Sequence, residues 1–255
     1  MTSLTFDRYC DEIVTQTERL TAHVRDADTT APVPSCPGWN LGQLLRHVGG
    51  DHRWAQEVVR TGDARPFPED LSAYTHEKES VLTPWLTEGA ASLSAALRSA
   101  GPDARVWTPA DDRDSASFWA RRMTYETAVH RADAALVTGA EFTLDDDLAA
   151  DAVQEWLEFS TVSEAFAPRP DLPGLLGPDR TLGFRTTDGG AWFVDLTGDR
   201  PAWRPGSGDA TVAVHGPVTD LLLFLYRRPA PAVQVQGDTA LLDLWLTRTG
   251  FWLEA

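Results

Sequence analysis

The chain has 255 residues, 42% hydrophobic and 24% charged, the proportions of an ordinary globular protein with room for one large or two modest cores. Its 22 basic residues against 38 acidic ones give a net charge of -16, which disfavours nucleic acid and anionic membranes, since both are held mainly through Lys and Arg contacts to phosphate. No apolar run reaches the roughly 18 residues of a membrane span, and Met1–Asp7 lacks the basic and apolar regions of a secretory signal, so cytoplasmic residence is the default expectation.

Taken in chain order, the first helical pattern runs from about Phe6 to Ala27, with Ile13, Thr17, Leu20 and Val24 on one stripe. A Pro-rich connection, Thr29 to Gly38, leads to Asn40, an N-cap with Gln43 in capping-box position. The second helix runs from Leu41 to about Arg60 and buries Leu41, Leu44, Leu45, Val48, Ala55 and Val59, with His47 and Trp54 along one edge. After a loop rich in Asp, Pro and Gly come a third helix, Glu79 to Ala100, and a fourth, about Ala116 to Val137, stopped at Gly139. Four helices with apolar faces predict an antiparallel bundle, a fold that builds metal sites from side chains on facing helices.

Beyond Leu144 the pattern changes. One more helix, about Asp146 to Ser160, precedes a Pro/Gly-rich stretch and then short alternating runs. Thr181 to Thr186 and Ala191 to Leu196 flank Asp188-Gly189-Gly190, a hairpin signal, and Thr211 to Val214 and Ala232 to Gln236 read as further strands. Helices over Val218 to Tyr226 and Thr239 to Thr247 follow them, giving an α+β half with a mixed sheet. The expected organisation is two domains: residues 1–150 a helical bundle and residues 151–255 a smaller α+β domain.

Chemistry concentrates in two of the helices. Glu126 and His130 stand one turn apart on the same face, so one metal ion could bridge them, and His47 from the second helix would complete a three-ligand set with an open position. Two imidazoles and a carboxylate suit zinc or another borderline divalent ion, which would lower the pKa of a bound thiol. The same spacing is equally compatible with packed core histidines. His52, on the second helix, competes with His47 as a ligand, or holds substrate, or is structural. No His-Glu-x-x-His motif is present, which argues against a zinc protease.

Cys10 and Cys36 are too few for a disulfide framework and too far apart in sequence for a zinc knuckle. Cys36, between Ser35 and Pro37, is read first as structural and second as a nucleophile near a helix start. Core packing accounts for most of the 10 tryptophans. Arg227-Arg228, closing an apolar helix, is either a solvated C-terminal charge or an anion clamp, while His23, His76 and His215 read as surface or local hydrogen-bonding residues.

The stretch Val33-Pro34-Ser35-Cys36-Pro37-Gly38-Trp39-Asn40, the segment Leu44 to Trp54, and Arg122 to Asp133 together resemble the N-terminal, DinB-like domain of the mycothiol-dependent maleylpyruvate isomerase family. Val214 to Leu223 and Val233 to Asp238 are similar to that family's sterol-carrier-protein-like second domain. The resemblance implies a divalent metal, usually zinc, at His47, Glu126 and His130, and mycothiol as thiol cosubstrate bound near it between the domains. It implies addition of the activated thiol to a small electrophile, ending in cis–trans isomerisation or in S-transfer. Arg227 or Arg228 is then the expected partner of substrate carboxylates, with His52 as a further candidate catalytic residue. The competing reading is a non-catalytic metal- and small-ligand-binding or regulatory protein using an apolar cleft of the second domain. A monomer or a homodimer is expected, with neither nucleic acid nor membrane as partner.

Overall fold

The computed structural model describes residues 4–64, 71, 77–109, 114–168, 170–250 and 253. They form two compact units that meet in sequence at Thr143 and Leu144.

The first unit is built on α1 (Phe6–His23), α2 (Leu41–Thr61), α3 (Glu79–Ala100) and α4 (Ala116–Thr138). Each of α1 and α2 packs against both α3 and α4, which is the expected four-helix bundle. Local chemistry starts and stops these helices. On α2 the Asn40 side chain accepts from Gln43 N while the Gln43 side chain accepts from Asn40 N, a reciprocal cap worth about 1 kcal/mol. Gly62 and Gly139 end α2 and α4 in the left-handed conformation.

Helix α1 stops at His23, short of the expected Ala27, because Val24 leaves helical geometry as the C-cap and Asp26 takes a φ of 58°, which a right-handed helix cannot hold. Helix α4 shows little amphipathic contrast because it is buried on nearly every side, Ala120, Ala128, Ala132, Ala134 and Ala135 allowing close approach. Two hydrogen bonds lock its neighbours: Thr124 Oγ1 donates to Tyr9 O at 3.0 Å and Ser94 Oγ to Cys10 O at 2.8 Å. Trp54 meets Trp107 and the buried Trp119 edge-on, while Trp107 and Trp119 are tilted, packing of the kind expected for the tryptophans.

In the second unit α5 (Asp146–Phe159) packs against α7 (Val218–Leu225), so the whole of α5 belongs here and not to the bundle. A short α6 (Ser163–Phe166) follows. The strands β1 (Thr181–Thr186), β2 (Ala191–Asp195), β3 (Ala202–Pro205), β4 (Val212–Gly216) and β5 (Gln234–Gly237) form one sheet in the order β3-β2-β1-β4-β5. β1 and β2 make the expected hairpin, with Phe184 opposite Trp192, whereas β1 pairs with β4 in parallel, so the sheet is mixed. Leu182, Phe184, Trp192, Val194, Val212 and Val214 face a core shared with α7 and α8 (Thr239–Thr249). At Gly237, φ is +96° and a Cβ would collide with the Thr211 carbonyl, so β5 can approach β4 only through glycine.

Candidate metal and thiol site

The bundle brings His47, Glu126 and His130 together. Glu126 Oε1 lies 3.2 Å from His47 Nε2 and 2.8 Å from His130 Nε2, and the three ligand atoms all fall within 4.8 Å of one another. Each side chain is largely covered, with 10–17% exposure, so the cluster is neither sealed in the bundle nor freely exposed. The His47 and His130 rings stand perpendicular at 4.7 Å, and the Trp39 ring walls the site 4.8 Å from His47.

Neighbouring groups fix each of these side chains. The second oxygen of Glu126 is held by Arg122, one turn earlier on α4, which leaves Oε1 facing the imidazoles. His130 Nδ1 donates to Asp133 Oδ2 at 2.8 Å. Asp133 is fully buried and its other oxygen accepts from Ser35 Oγ at 2.5 Å, while Cys36 Sγ lies 3.5 Å from Oδ2. One carboxylate thus pins the Val33–Trp39 loop to α4 and orients the His130 ring. Asp51 Oδ2 stands 3.5 Å from His47 Nε2, a second carboxylate beside the cluster.

The electrostatics follow from this packing. Burial alone would push His130 down, but the Glu126 charge, with hydrogen bonds to Asp133 and Cys36, holds it well above the usual histidine range. Burial would raise Glu126, and the charges of Arg122 and His130 outweigh it, holding the carboxyl well below its ordinary value. An imidazole flanked by a carboxylate at each nitrogen needs a cation at Nε2: either a proton or a metal ion. With Nδ1–H committed to Asp133, the Nε2 lone pair points at the same place as the Nε2 atom of His47 and Glu126 Oε1. Two nitrogens and a carboxylate oxygen so arranged are a donor set that fits a borderline divalent ion.

His52 does not join this cluster. His52 turns into the α2–α4 interface, where its Nε2–H donates at 2.8 Å to Thr127 Oγ1, which donates in turn to Met123 O. Burial drives its pKa down to about 3, so it is a neutral imidazole. Arg227 and Arg228 follow α7 in the second unit, Arg227 exposed with φ at +60° and bonded to Leu246 O, Arg228 half-buried and bonded to Tyr226 O. His215 is exposed on β4, and His76 lies outside the described residues.

Asp133, Ser35 and Arg122 carry the site as much as the ligands do, and pattern reading did not single them out. The available signal was an aspartate on the buried face of a helix three residues after a candidate ligand, a place where an unpartnered carboxylate would be costly. In the second unit, a cleft of ≈ 280 Å³ is lined by Asp146, Asp147, Asp151 and Asp188 beside Thr186 and Trp192. The four carboxylates in its lining do not suit an anionic ligand.

Comparison with known proteins bears on both units. The family model of the mycothiol maleylpyruvate isomerase N-terminal domain matches residues 10–135, and that of the MDMPI C-terminal domain matches residues 147–244. Among solved structures, the crystal structure of the mycothiol-dependent maleylpyruvate isomerase is 16% identical with a TM-score of 0.64, covering 92% of this chain and 96% of that one. A histidine-to-alanine mutant of that enzyme gives 16% identity, a TM-score of 0.63 and the same coverage. At this identity the likeness is one of fold. No curated protein matches the sequence.

Proposed function

The chain belongs to the mycothiol-dependent maleylpyruvate isomerase family, and from that premise we propose that it is a metal-dependent thiol enzyme using mycothiol as cosubstrate. His47, Glu126 and His130 would hold the ion, zinc by the chemistry of the donors. The observation that carries this reading is the convergence of Nε2, Nε2 and Oε1 from two helices, with the far sides of Glu126 and His130 tied to the buried Arg122 and Asp133. When bound, such an ion is a Lewis acid that lowers the pKa of a thiol placed against it.

The chain's own residues do the positioning. Asp133 keeps the His130 proton on Nδ1, and Arg122 keeps Glu126 ionised with one oxygen turned inward. Trp39 supplies an apolar wall that shields one side of the cluster from water. The thiol sulfur adds to a conjugated double bond of an electrophilic substrate; the carbon–carbon bond, now single, rotates. Departure of the thiol gives the isomer, and without that departure the adduct is the product of S-transfer. Arg227 or Arg228 would pair with substrate carboxylate through charge-assisted hydrogen bonds.

The test combines metal analysis with a thiol-consumption screen. Purified protein should hold about one zinc per chain, and His130→Ala should lose it. Consumption of mycothiol over conjugated acids, epoxides and alkyl halides should stop with chelator and require the thiol. A wild-type protein free of metal after growth in zinc, or full turnover without added thiol, would overturn the reading.

A further inference from the structure

The cluster has a second side. Cys36 Sγ, a His130 ring nitrogen and a carboxylate oxygen of Asp133 also lie within 4.8 Å of one another. We propose that Cys36, His130 and Asp133 form a second cation site, selective for thiophilic divalent ions such as Cd²⁺, that competes with the first ligand set for His130. The site stands on its own geometry; the competition rests on the function proposed above.

The donors are nearly in place. Asp133 Oδ2 lies 2.8 Å from His130 Nδ1 and 3.5 Å from Cys36 Sγ. Around a tetrahedral ion with zinc-like metal–nitrogen, –oxygen and –sulfur lengths donor atoms stand about 3.3–3.6 Å apart, so Oδ2 is already within about 1 Å of that spacing from both partners. The supports are stiff: Ser35 Oγ holds the other Asp133 oxygen, and the loop carries Cys36 N to Val33 O and Trp39 N to Cys36 O bonds, each 3.1 Å. Sulfur separates this set from the nitrogen and oxygen donors of the first, and it favours the softer ion.

Competition follows from the histidine. A neutral imidazole has one lone pair, at Nε2 toward His47 and Glu126 or at Nδ1 toward Asp133 and Cys36. An ion on the Cys36 side releases the thiol proton to solvent. The ring proton then sits on Nε2, where Glu126 Oε1 at 2.8 Å accepts it. In that tautomer the first set has lost one of its three ligands.

Cadmium titrated into the metal-stripped full chain tests this through the cadmium–thiolate charge-transfer absorption. The band should appear in the wild type, vanish in Cys36→Ser and need about tenfold more cadmium in Asp133→Asn. In His47→Ala, where the first set is broken, it should saturate at about one ion per chain. Zinc added beforehand should move the midpoint at least about tenfold in the wild type and much less in His47→Ala. A measurement on the wild type alone guards against a misfolded variant: cadmium should protect Cys36 from alkylation, read by peptide mass mapping. No band, a band surviving Cys36→Ser, or alkylation of Cys36 unchanged by cadmium overturns the site. A band that titrates but ignores zinc overturns the competition, and with it the first ligand set, while leaving the Cys36 site standing.

Discussion

Replacing Asp133 by Asn should weaken zinc binding about 10–100-fold, or ~1.4–2.7 kcal/mol, without removing a metal ligand. The buried carboxylate faces Ser35 Oγ–H, His130 Nδ1–H and the Cys36 thiol, with acceptor oxygens only. An amide of the same shape keeps one acceptor and brings one donor. If its NH₂ turns to Ser35, the hydroxyl can rotate to accept, and His130 keeps its tautomer with a neutral hydrogen bond in place of a charge-assisted one, about half as strong. That is the low end of the range. If the NH₂ turns to His130, Nδ1 must become the acceptor, the proton moves to Nε2, and the ring no longer offers a lone pair to the ion. The high end reflects that tautomer. Competition for zinc against a chromophoric chelator measures the difference, and thermal unfolding of the metal-free proteins separates it from loss of fold. Zinc affinity within twofold of wild type in Asp133→Asn would refute the argument that this carboxylate sets the histidine's proton.

His52, depressed to about 3 by burial against an ordinary value of 6.5, favours the folded state only while neutral. Its contribution is complete above pH 6.5 and falls as pH drops towards 3, by roughly 3 kcal/mol at pH 4.5. His52→Gln keeps a donor for Thr127 without that titration, so urea unfolding should show a smaller stability loss from pH 7 to 4.5 than in wild type; parallel losses would count against it. A Cβ on Gly49 would sit inside the Trp85 ring, and that ring is held by Arg46 and Arg53, whose guanidinium carbons lie 4.3 and 4.0 Å from its centre. Gly49→Ala should therefore cost about 1–3 kcal/mol in urea unfolding, and an unchanged midpoint would mean α2 and α3 can separate freely.

Much of this architecture was legible because the signals were local. Asn40 and Gln43 announce the start of α2, and Gly139 the end of α4, with chemistry confined to a single turn. Glu126 and His130 could be paired from their four-residue spacing alone. Strand β3 was not foreseen, since Ala202–Pro205 is a short, mostly exposed edge ending in proline and has no alternation to read. At the other side of the sheet β4 and β5 begin one and two residues later than expected, at Val212 and Gln234, because register is set by the neighbours and not by the segment. Asp133 was invisible for a related reason. Its partners Ser35 and Cys36 are 98 and 97 residues away, so the one local mark it carries is its place three residues after His130.

That long-range contact makes the loop and the ligand a single device. His130 donates through Nδ1–H to the same carboxylate that anchors Ser35 and Cys36. An ion drawing electron density from Nε2 makes the Nδ1–H a stronger donor and tightens its bond to Asp133, so ligation should be felt at the loop although no loop residue is needed as a ligand. By linkage, whatever the ion gains from the folded loop the loop gains from the ion. Hydrogen exchange of peptides covering Val33–Trp39 should therefore slow on zinc addition, together with those from α2 and α4 around His47 and His130. In Asp133→Asn, at zinc high enough to fill the site, the helical peptides should still slow and the loop should not. Equal protection of the loop in both proteins would place its anchoring elsewhere than on this carboxylate.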